Sequence, residues 1–174
     1  HEYLIQDFYQ CMDTVSGGAF FALPNLFVLL TAPAATCYDR ICMRDRSEEK
    51  TVSMTDMEAQ IERFEEFAQW METNGTRVVR VETAGKSPDV VAAEINHHVQ
   101  AAYASEPATG NKPIQIGIDG AVGVGKSLAV SKLSTLFESS NLRAVCFDEN
   151  VTRWKDLGLL GSMLGPQATN ELVP

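Results

Sequence analysis

The chain has 174 residues, about the size of one domain, and a formal net charge of −9. Apolar residues make up 45% of it and charged residues 21%, which is ordinary for a soluble globular protein that buries a core. Because gripping a nucleic-acid backbone takes clustered Lys and Arg, the acidic balance argues against a nucleic-acid partner.

Apolar patterns predict alternating helices and strands in the first part of the chain. Residues 26–30 form a continuous apolar run bounded by Pro24 and Pro33, which is typical of a strand buried on both faces of a parallel sheet and predicts a strand at 26–31. The same prolines interrupt the longest apolar stretch, which is therefore too broken to span a bilayer. The other elements predicted here are helices over 2–15, 34–44, 53–71 and 88–103, the last with Ser87 as N-cap, and a strand over 77–82.

A polar segment rich in Pro and Gly, residues 105–111, reads as a linker. We expect it to join a first segment, 1–104, to a second, 112–174. The alternation of strands and helices predicts an α/β fold with a parallel sheet. The second segment is predicted to contain a strand at 114–118, a glycine-rich turn, a helix at 126–139 and a strand at 143–147.

Cysteine usage bears on the compartment. The four cysteines contain no CxxC pair, and the three histidines do not complete a zinc pattern. Reduced thiols in an intracellular protein fit this spacing, and no secretory signal is recognisable. We therefore expect a cytoplasmic protein.

The segment 120–127 reads G-A-V-G-V-G-K-S, matches the P-loop pattern GxxxxGK[ST] and lies between a predicted strand and a predicted helix. Glycines let the backbone curl so that N–H groups point at phosphate oxygens, and the helix N-terminus adds positive potential. Lys126 would neutralise charge on the β- and γ-phosphates, and Ser127 would offer a hydroxyl to Mg²⁺. A chance glycine-rich turn is the alternative. The predicted ATP-binding residues of the loop are Gly120, Ala121, Val122, Gly123, Val124, Gly125, Lys126 and Ser127.

An acidic residue, Glu149, follows the predicted strand 143–147, and Trp154 comes shortly after it. Because strand C-termini line the ligand crevice of a parallel sheet, Glu149 would lie on the same edge as the P-loop. A carboxylate there can accept the proton of an attacking hydroxyl, which makes Glu149 the predicted catalytic base. The alternatives are a solvated acidic turn for Glu149 and a core aromatic for Trp154.

Three arginines, Arg40, Arg44 and Arg46, form a basic cluster whose first two members share a helix face. Guanidinium groups match phosphate oxygens bidentately. Beside a P-loop, the cluster is predicted to stabilise transferring phosphate, with Arg40 on ATP and with Arg44 and Arg46 in catalysis. The alternative is a solvated basic face near Glu48 and Glu49.

These segments resemble motifs of the deoxynucleoside kinase family, which includes thymidine, deoxycytidine and deoxyguanosine kinases. The likeness rests on the P-loop, on the Glu149-x-Val-x-x-Trp154 pattern and on the R-x-x-x-R-x-R-x-E-E pattern that ends at Glu49. The resemblance implies that Glu149 is the catalytic base and that Trp154 lines the nucleoside pocket. It also implies that the arginines form a lid over the phosphates and that Glu49 contacts the deoxyribose 3′-hydroxyl.

The order of these motifs differs from the family's. There the P-loop lies near the N-terminus and the lid near the C-terminus, whereas here the lid segment 1–104 precedes the P-loop segment 112–174. Asn150 also replaces the proline of the family's Glu-Pro-Val-x-x-Trp motif. Circular permutation, an excerpt from two tandem kinase modules and an omitted segment are three accounts of this order.

The family's middle section, with its third strand and the residues that read the base, has no counterpart in the sequence. The family sheet has the order 2-3-1-4-5, and this chain supplies strand 4 at 26–31, strand 5 at 77–82, strand 1 at 114–118 and strand 2 at 143–147. Without strand 3, strands 1 and 2 would expose unpaired backbone groups. We therefore expect a P-loop kinase fold with one central strand missing, marginally stable and nearly inactive in isolation.

The sequence favours ATP-dependent phosphorylation of a deoxynucleoside 5′-hydroxyl, with Mg²⁺ bridging phosphates. One alternative is a nucleoside monophosphate kinase, although only Arg143 and Arg153 lie near the second strand to hold an acceptor phosphate. The other is a degenerate, non-catalytic kinase-fold module. The expected partner is a deoxynucleoside, with neither nucleic acid nor membrane. A homo-oligomer, or a second kinase module in the same polypeptide, is left open.

Overall fold

The computed structural model describes residues 23–44, 51–105, 114–140 and 144–146. Within them, strands and helices alternate as the sequence predicts. The elements are β1 (Leu26–Thr31), α1 (Ala34–Arg44), α2 (Met54–Thr73), β2 (Arg77–Glu82), α3 (Pro88–Ser105), β3 (Ile116–Asp119) and α4 (Lys126–Ser139). Contacts divide the chain into two units, His1–Leu142 and Arg143–Pro174, and these elements all belong to the first.

The three described strands form one parallel sheet in the order β2-β1-β3. β1 pairs along its whole length with β2, and its first four residues pair with β3. This is the order that the resemblance implies for the family's strands 5, 4 and 1. The protein is therefore an α/β protein with a small parallel sheet flanked by helices, and strands from both sides of the predicted linker lie in the same sheet.

β1 is the centre of the core because its side chains alternate between two apolar layers. Leu26, Val28 and Leu30 belong to a large cluster that buries side chains from all four helices. Phe27 and Leu29 face the other way and pack against the second half of α2, in a cluster with Phe67, Ala68 and Met71. The Phe27 and Phe67 rings meet edge to face, with centroids 5.4 Å apart. The prediction that β1 is buried on both faces is confirmed.

Local capping explains where two helices begin. Ser53 and Asp56 form a capping box at the start of α2: the Ser53 hydroxyl accepts from the Asp56 N–H, and the Ser53 N–H donates to the Asp56 carboxylate. The hydrogen bonds from Ser53 hold the pKa of Asp56 below its usual range. At α3, the Ser87 hydroxyl accepts from the Val90 N–H at 3.3 Å, as expected for the predicted N-cap.

Two predicted strands differ from the structure. The strand predicted at 114–118 runs from Ile116 to Asp119. Just before it, the Gln115 N–H donates to the side chain of Asn25 instead of to a backbone carbonyl. The strand predicted at 143–147 is wrong for the residues that are described, since 144–146 form no strand and Val145 is 70% exposed. A strand requires a hydrogen-bonded neighbour, and the resemblance places that neighbour in the section that this sequence lacks.

Two further predictions fall partly or wholly outside the described residues. The helix predicted at 2–15 lies outside them. Of the predicted linker 105–111, Ser105 is the last residue of α3 and the remainder lies outside them.

An ion-pair network connects α2 to β2, which lies at one end of the three described strands. The Arg80 guanidinium donates to both oxygens of Glu65, at 2.6 to 3.0 Å, and to Glu72 at 2.8 Å. These hydrogen bonds lower the pKa of Glu65 and raise that of Arg80. The three side chains are more than a third exposed, so solvent screening limits the stabilisation.

Glu65→Gln should therefore lower the free energy of unfolding by less than about 1 kcal/mol at pH 7. Because the folded-state pKa of Glu65 is depressed, its ion pair stabilises the protein above the unfolded-state pKa and is lost as pH falls through the folded value. Urea unfolding at a series of pH values should show the gap between wild type and variant closing below about pH 4. Glu66→Gln, at the exposed neighbouring position, is the control. A gap that is constant down to pH 3 would contradict the assignment.

Candidate phosphate-binding site

The glycine-rich segment 120–125 forms a tight loop between the carboxyl end of β3 and the first residue of α4. Gly120, Gly123 and Gly125 have φ values of +151°, +82° and +110°. Residues other than glycine rarely adopt such positive φ values. Gly125 is the N-cap of α4 and supplies no side-chain hydrogen bond. The first turn of α4 therefore presents N–H groups that no capping side chain covers, which is the property that lets a helix N-terminus hold an anion.

The loop packs closely against the backbone of β1 and α1. A Cβ on Gly120 would collide with the Leu30 carbonyl oxygen. A Cβ on Gly123 would lie 2.5 Å from the Cys37 carbonyl oxygen. Two of the loop's glycines are therefore required by close backbone approach as well as by their φ values. Cys37 itself is fully buried, and burial raises the pKa of its thiol.

Lys126 folds back over the loop. Its Nζ donates to the Gly120 carbonyl at 2.5 Å and lies 3.7 Å from Asp119 Oδ1. The Asp119 carboxylate accepts in turn from the Gly120 N–H at 2.8 Å. The ammonium group also lies 5.8 Å from the centre of the Phe64 ring on α2. A cation thus lies against the loop, near the N–H groups of the loop and of the first turn of α4.

Gln60, on α2, contacts the loop and was not predicted from the sequence. Its side-chain oxygen accepts from the Val122 N–H at 3.0 Å. A glutamine in a helix carries no pattern that marks it as a partner of a loop 62 residues away. An anion that used the Val122 N–H would have to displace this amide.

Arg40 is brought to the loop, but its partners are protein groups. Its guanidinium donates to the Val124 carbonyl at 2.9 Å, to the Thr83 carbonyl at 2.9 Å and to the Thr83 hydroxyl at 3.0 Å. Arg40, which was predicted to bind ATP, therefore contacts a backbone carbonyl of the loop and the end of β2 in this structure. Arg44 is exposed in the last turn of α1, and Ser127 is exposed in the first turn of α4.

A cavity of about 700 Å³ lies between α2 and the carboxyl end of β1, beside Ala121 and Val124 of the loop. Its floor includes Leu29 and Leu30, and one wall carries apolar side chains of α2. The same helix contributes four glutamates to the lining, Glu58, Glu62, Glu65 and Glu66. The cavity beside the candidate loop is thus lined by acidic as well as apolar residues.

Several predicted site residues lie outside the described residues: Arg46, Glu49, Glu149 and Trp154. Among the residues that are described, no group of three or more His, Cys, Asp or Glu is placed to hold a metal. Mg²⁺ in phosphoryl-transfer sites needs only one or two protein oxygens besides the phosphates. The exposed Ser127 hydroxyl and the Asp119 carboxylate fit that requirement.

The helices within the described ranges include none that is long and apolar enough to cross a membrane. No family model, curated protein or solved structure matches the chain.

Proposed function

We propose that the chain binds ATP at the loop 120–127 and belongs to a kinase that transfers the γ-phosphoryl group to a deoxynucleoside 5′-hydroxyl. The observation that carries the proposal is the strand–loop–helix arrangement of the P-loop sequence, with three left-handed glycines and Lys126 folded over them. Its position at the carboxyl edge of a parallel sheet is where ligands bind in open α/β folds.

In this proposal each site residue has a separate role in the in-line transfer of the γ-phosphoryl group. Lys126 offsets charge on the β- and γ-phosphates, and Arg44 and Arg46 stabilise the transferring group. Ser127 would hold Mg²⁺, which would offset negative charge on the phosphate groups. Glu149 takes the proton from the attacking hydroxyl. Trp154 and Glu49 contact the nucleoside.

The acidic cavity supports an uncharged acceptor over a nucleoside monophosphate. Glu58, Glu62 and Glu66 line the space beside the loop. An acceptor that already carried a phosphate would meet like charge there, whereas hydroxyl groups of a sugar can donate to carboxylates. This argument favours the deoxynucleoside kinase over the monophosphate kinase.

A nucleotide-binding module that does not transfer phosphate is the second candidate. The observation that favours it is the small sheet, in which the described strands number three and 144–146 form no strand. Such a module would keep the P-loop and bind ATP but lack a complete acceptor site.

The test combines binding with transfer. Titration with a fluorescent ATP analogue measures nucleotide binding, and γ-labelled ATP with thymidine, deoxycytidine and thymidylate measures transfer to each acceptor. Binding with transfer to a nucleoside supports the proposal. Binding without transfer supports the non-catalytic module, and preferred transfer to thymidylate supports the monophosphate kinase. A protein that does not bind ATP in the presence of Mg²⁺ would contradict all three.

A further inference from the structure

Arg40 joins three elements at the carboxyl edge of the sheet. It projects from α1, and one of its terminal nitrogens donates to the Val124 carbonyl and to the Thr83 hydroxyl. The same nitrogen lies 3.4 Å from the Gly123 carbonyl oxygen, and the other donates to the Thr83 carbonyl. The contacts span 43 residues to Thr83 and 84 residues to Val124. They are made by a partly buried cation, which strengthens them over neutral hydrogen bonds.

Thr83 completes the network from the end of β2. Its side chain is 4% exposed, and its hydroxyl accepts from Arg40. The hydroxyl donates to the Val124 carbonyl at 2.8 Å, and the Thr31 carbonyl oxygen lies 3.2 Å from it. The Thr83 N–H donates to the Thr31 carbonyl at 2.8 Å. The Val124 carbonyl thus accepts from two side chains that are themselves anchored to the sheet.

Because the peptide bond is planar, holding one carbonyl of the loop in place also sets the direction of the N–H group in the same peptide unit. The Val124 carbonyl and the Gly125 N–H belong to one trans peptide unit and point in opposite directions. Holding the carbonyl against Arg40 and Thr83 therefore fixes the direction of the Gly125 N–H on the other side of the loop. Without such an anchor this unit could rotate, because Gly125, whose φ sets the orientation of the unit from one side, has wide conformational freedom.

We propose that Arg40 and Thr83 are positioning residues that set the Gly125 N–H toward the phosphates of a bound nucleotide. The inference rests on the proposed function, since it requires that this loop binds phosphate. In this proposal Arg40 does not make the direct contact with ATP that the sequence predicted, but orients the loop backbone that would bind the phosphates. The two nitrogens of the guanidinium serve different oxygens at fixed angles, so a lysine at this position would retain its charge but not the full set of contacts.

Thr83→Val and Thr83→Ser are a matched pair for the test. Valine keeps the shape of the side chain and removes the hydroxyl, whereas serine keeps the hydroxyl. Arg40→Ala and Arg40→Lys form the second pair, and Arg77→Ala, an exposed arginine on β2, is the control. The probes are ATP with Mg²⁺ and inorganic tripolyphosphate, so that phosphate contacts are measured with and without a nucleoside. Amide hydrogen exchange of the segment 120–129 is followed without any ligand.

We expect Arg40→Ala and Thr83→Val to lower the affinity for both probes by roughly tenfold or more, which is the scale of one lost hydrogen bond to a charged group. Exchange in 120–129 should become faster in these variants while β1 stays protected. Thr83→Ser and the control should retain wild-type affinity, Arg40→Lys should be intermediate, and added guanidinium ion should restore part of the Arg40→Ala loss.

Two results would overturn the inference, and they differ from each other. If the wild-type protein binds both probes and Arg40→Ala and Thr83→Val bind them equally well, the positioning role is wrong and the proposed function stands. If the wild-type protein binds neither probe, the proposed function fails and the positioning role fails with it.

Discussion

Lys126→Ala should abolish measurable ATP binding while the chain stays folded. The ammonium group lies at the mouth of the loop, and its side chain is 24% exposed, so it is partly withdrawn from water. Removing one partner of a desolvated charged contact weakens binding by roughly 100-fold or more. The protein itself loses little, because the group packs against the loop surface and against one face of Phe64 rather than in the core. Titration with a fluorescent ATP analogue measures the affinity, and circular dichroism checks the fold.

Lys132→Ala is the matched control, since Lys132 lies on the same helix and is paired with the exposed Asp89. It should leave ATP affinity unchanged. Lys126→Arg should recover part of the affinity, because it restores the charge with a different shape. ATP affinity of Lys126→Ala within a factor of two of wild type would remove Lys126 from the site and, with it, the reading of 120–127 as a phosphate-binding loop.

The elements were predictable where the relevant signal is local. The apolar run that forms β1, the Ser87 cap and the glycine spacing of the loop are all written in a few consecutive residues. Errors arose where an element depends on a distant partner. The side chain of Asn25 accepts from the Gln115 N–H, 90 positions away and next to the start of β3, and no local pattern reveals this contact. The strand predicted at 143–147 has good β-forming residues, but propensity does not supply the neighbour that a strand requires.

In the candidate site, too, the features that depend on local sequence could be predicted and those that depend on distant contacts could not. The glycine-rich turn between a strand and a helix could be predicted from the spacing at 120–127, and the structure has the Lys126 ammonium on the Gly120 carbonyl. The phosphate-binding role of the loop stays a prediction. The roles of Arg40, Thr83 and Gln60 could not be read in advance. Arg40 was visible as a cation, but whether it faces a ligand or the loop backbone depends on how α1 packs. Thr83 and Gln60 belong to residue types that are common in any sequence, and they matter only through contacts made across the fold.

Gly123→Ala should strongly destabilise the protein, although it leaves all side-chain contacts in place. Two effects add at this position. A φ of +82° costs an alanine about 1–2 kcal/mol. The new Cβ would also lie 2.5 Å from the Cys37 carbonyl oxygen and 3.1 to 3.2 Å from the adjacent backbone carbons. These are backbone atoms of α1, so the collision cannot be relieved by a rotamer change, and overpacking of this kind costs about 1–3 kcal/mol more.

Gly75→Ala separates the two effects. Gly75 has nearly the same φ, +85°, but no atom lies within 4 Å of a Cβ built there. Gly75→Ala should therefore lower the free energy of unfolding only by the cost of the positive φ, about 1–2 kcal/mol. Urea unfolding of both variants should show Gly123→Ala less stable than Gly75→Ala by about 1–3 kcal/mol, with m-values unchanged. Because the whole stability of a domain is about 5–15 kcal/mol, the combined loss at Gly123 is large enough to move the transition clearly. Equal destabilisation of the two variants would mean that the loop can move away from α1, and that the close approach at Cys37 does not hold it in place.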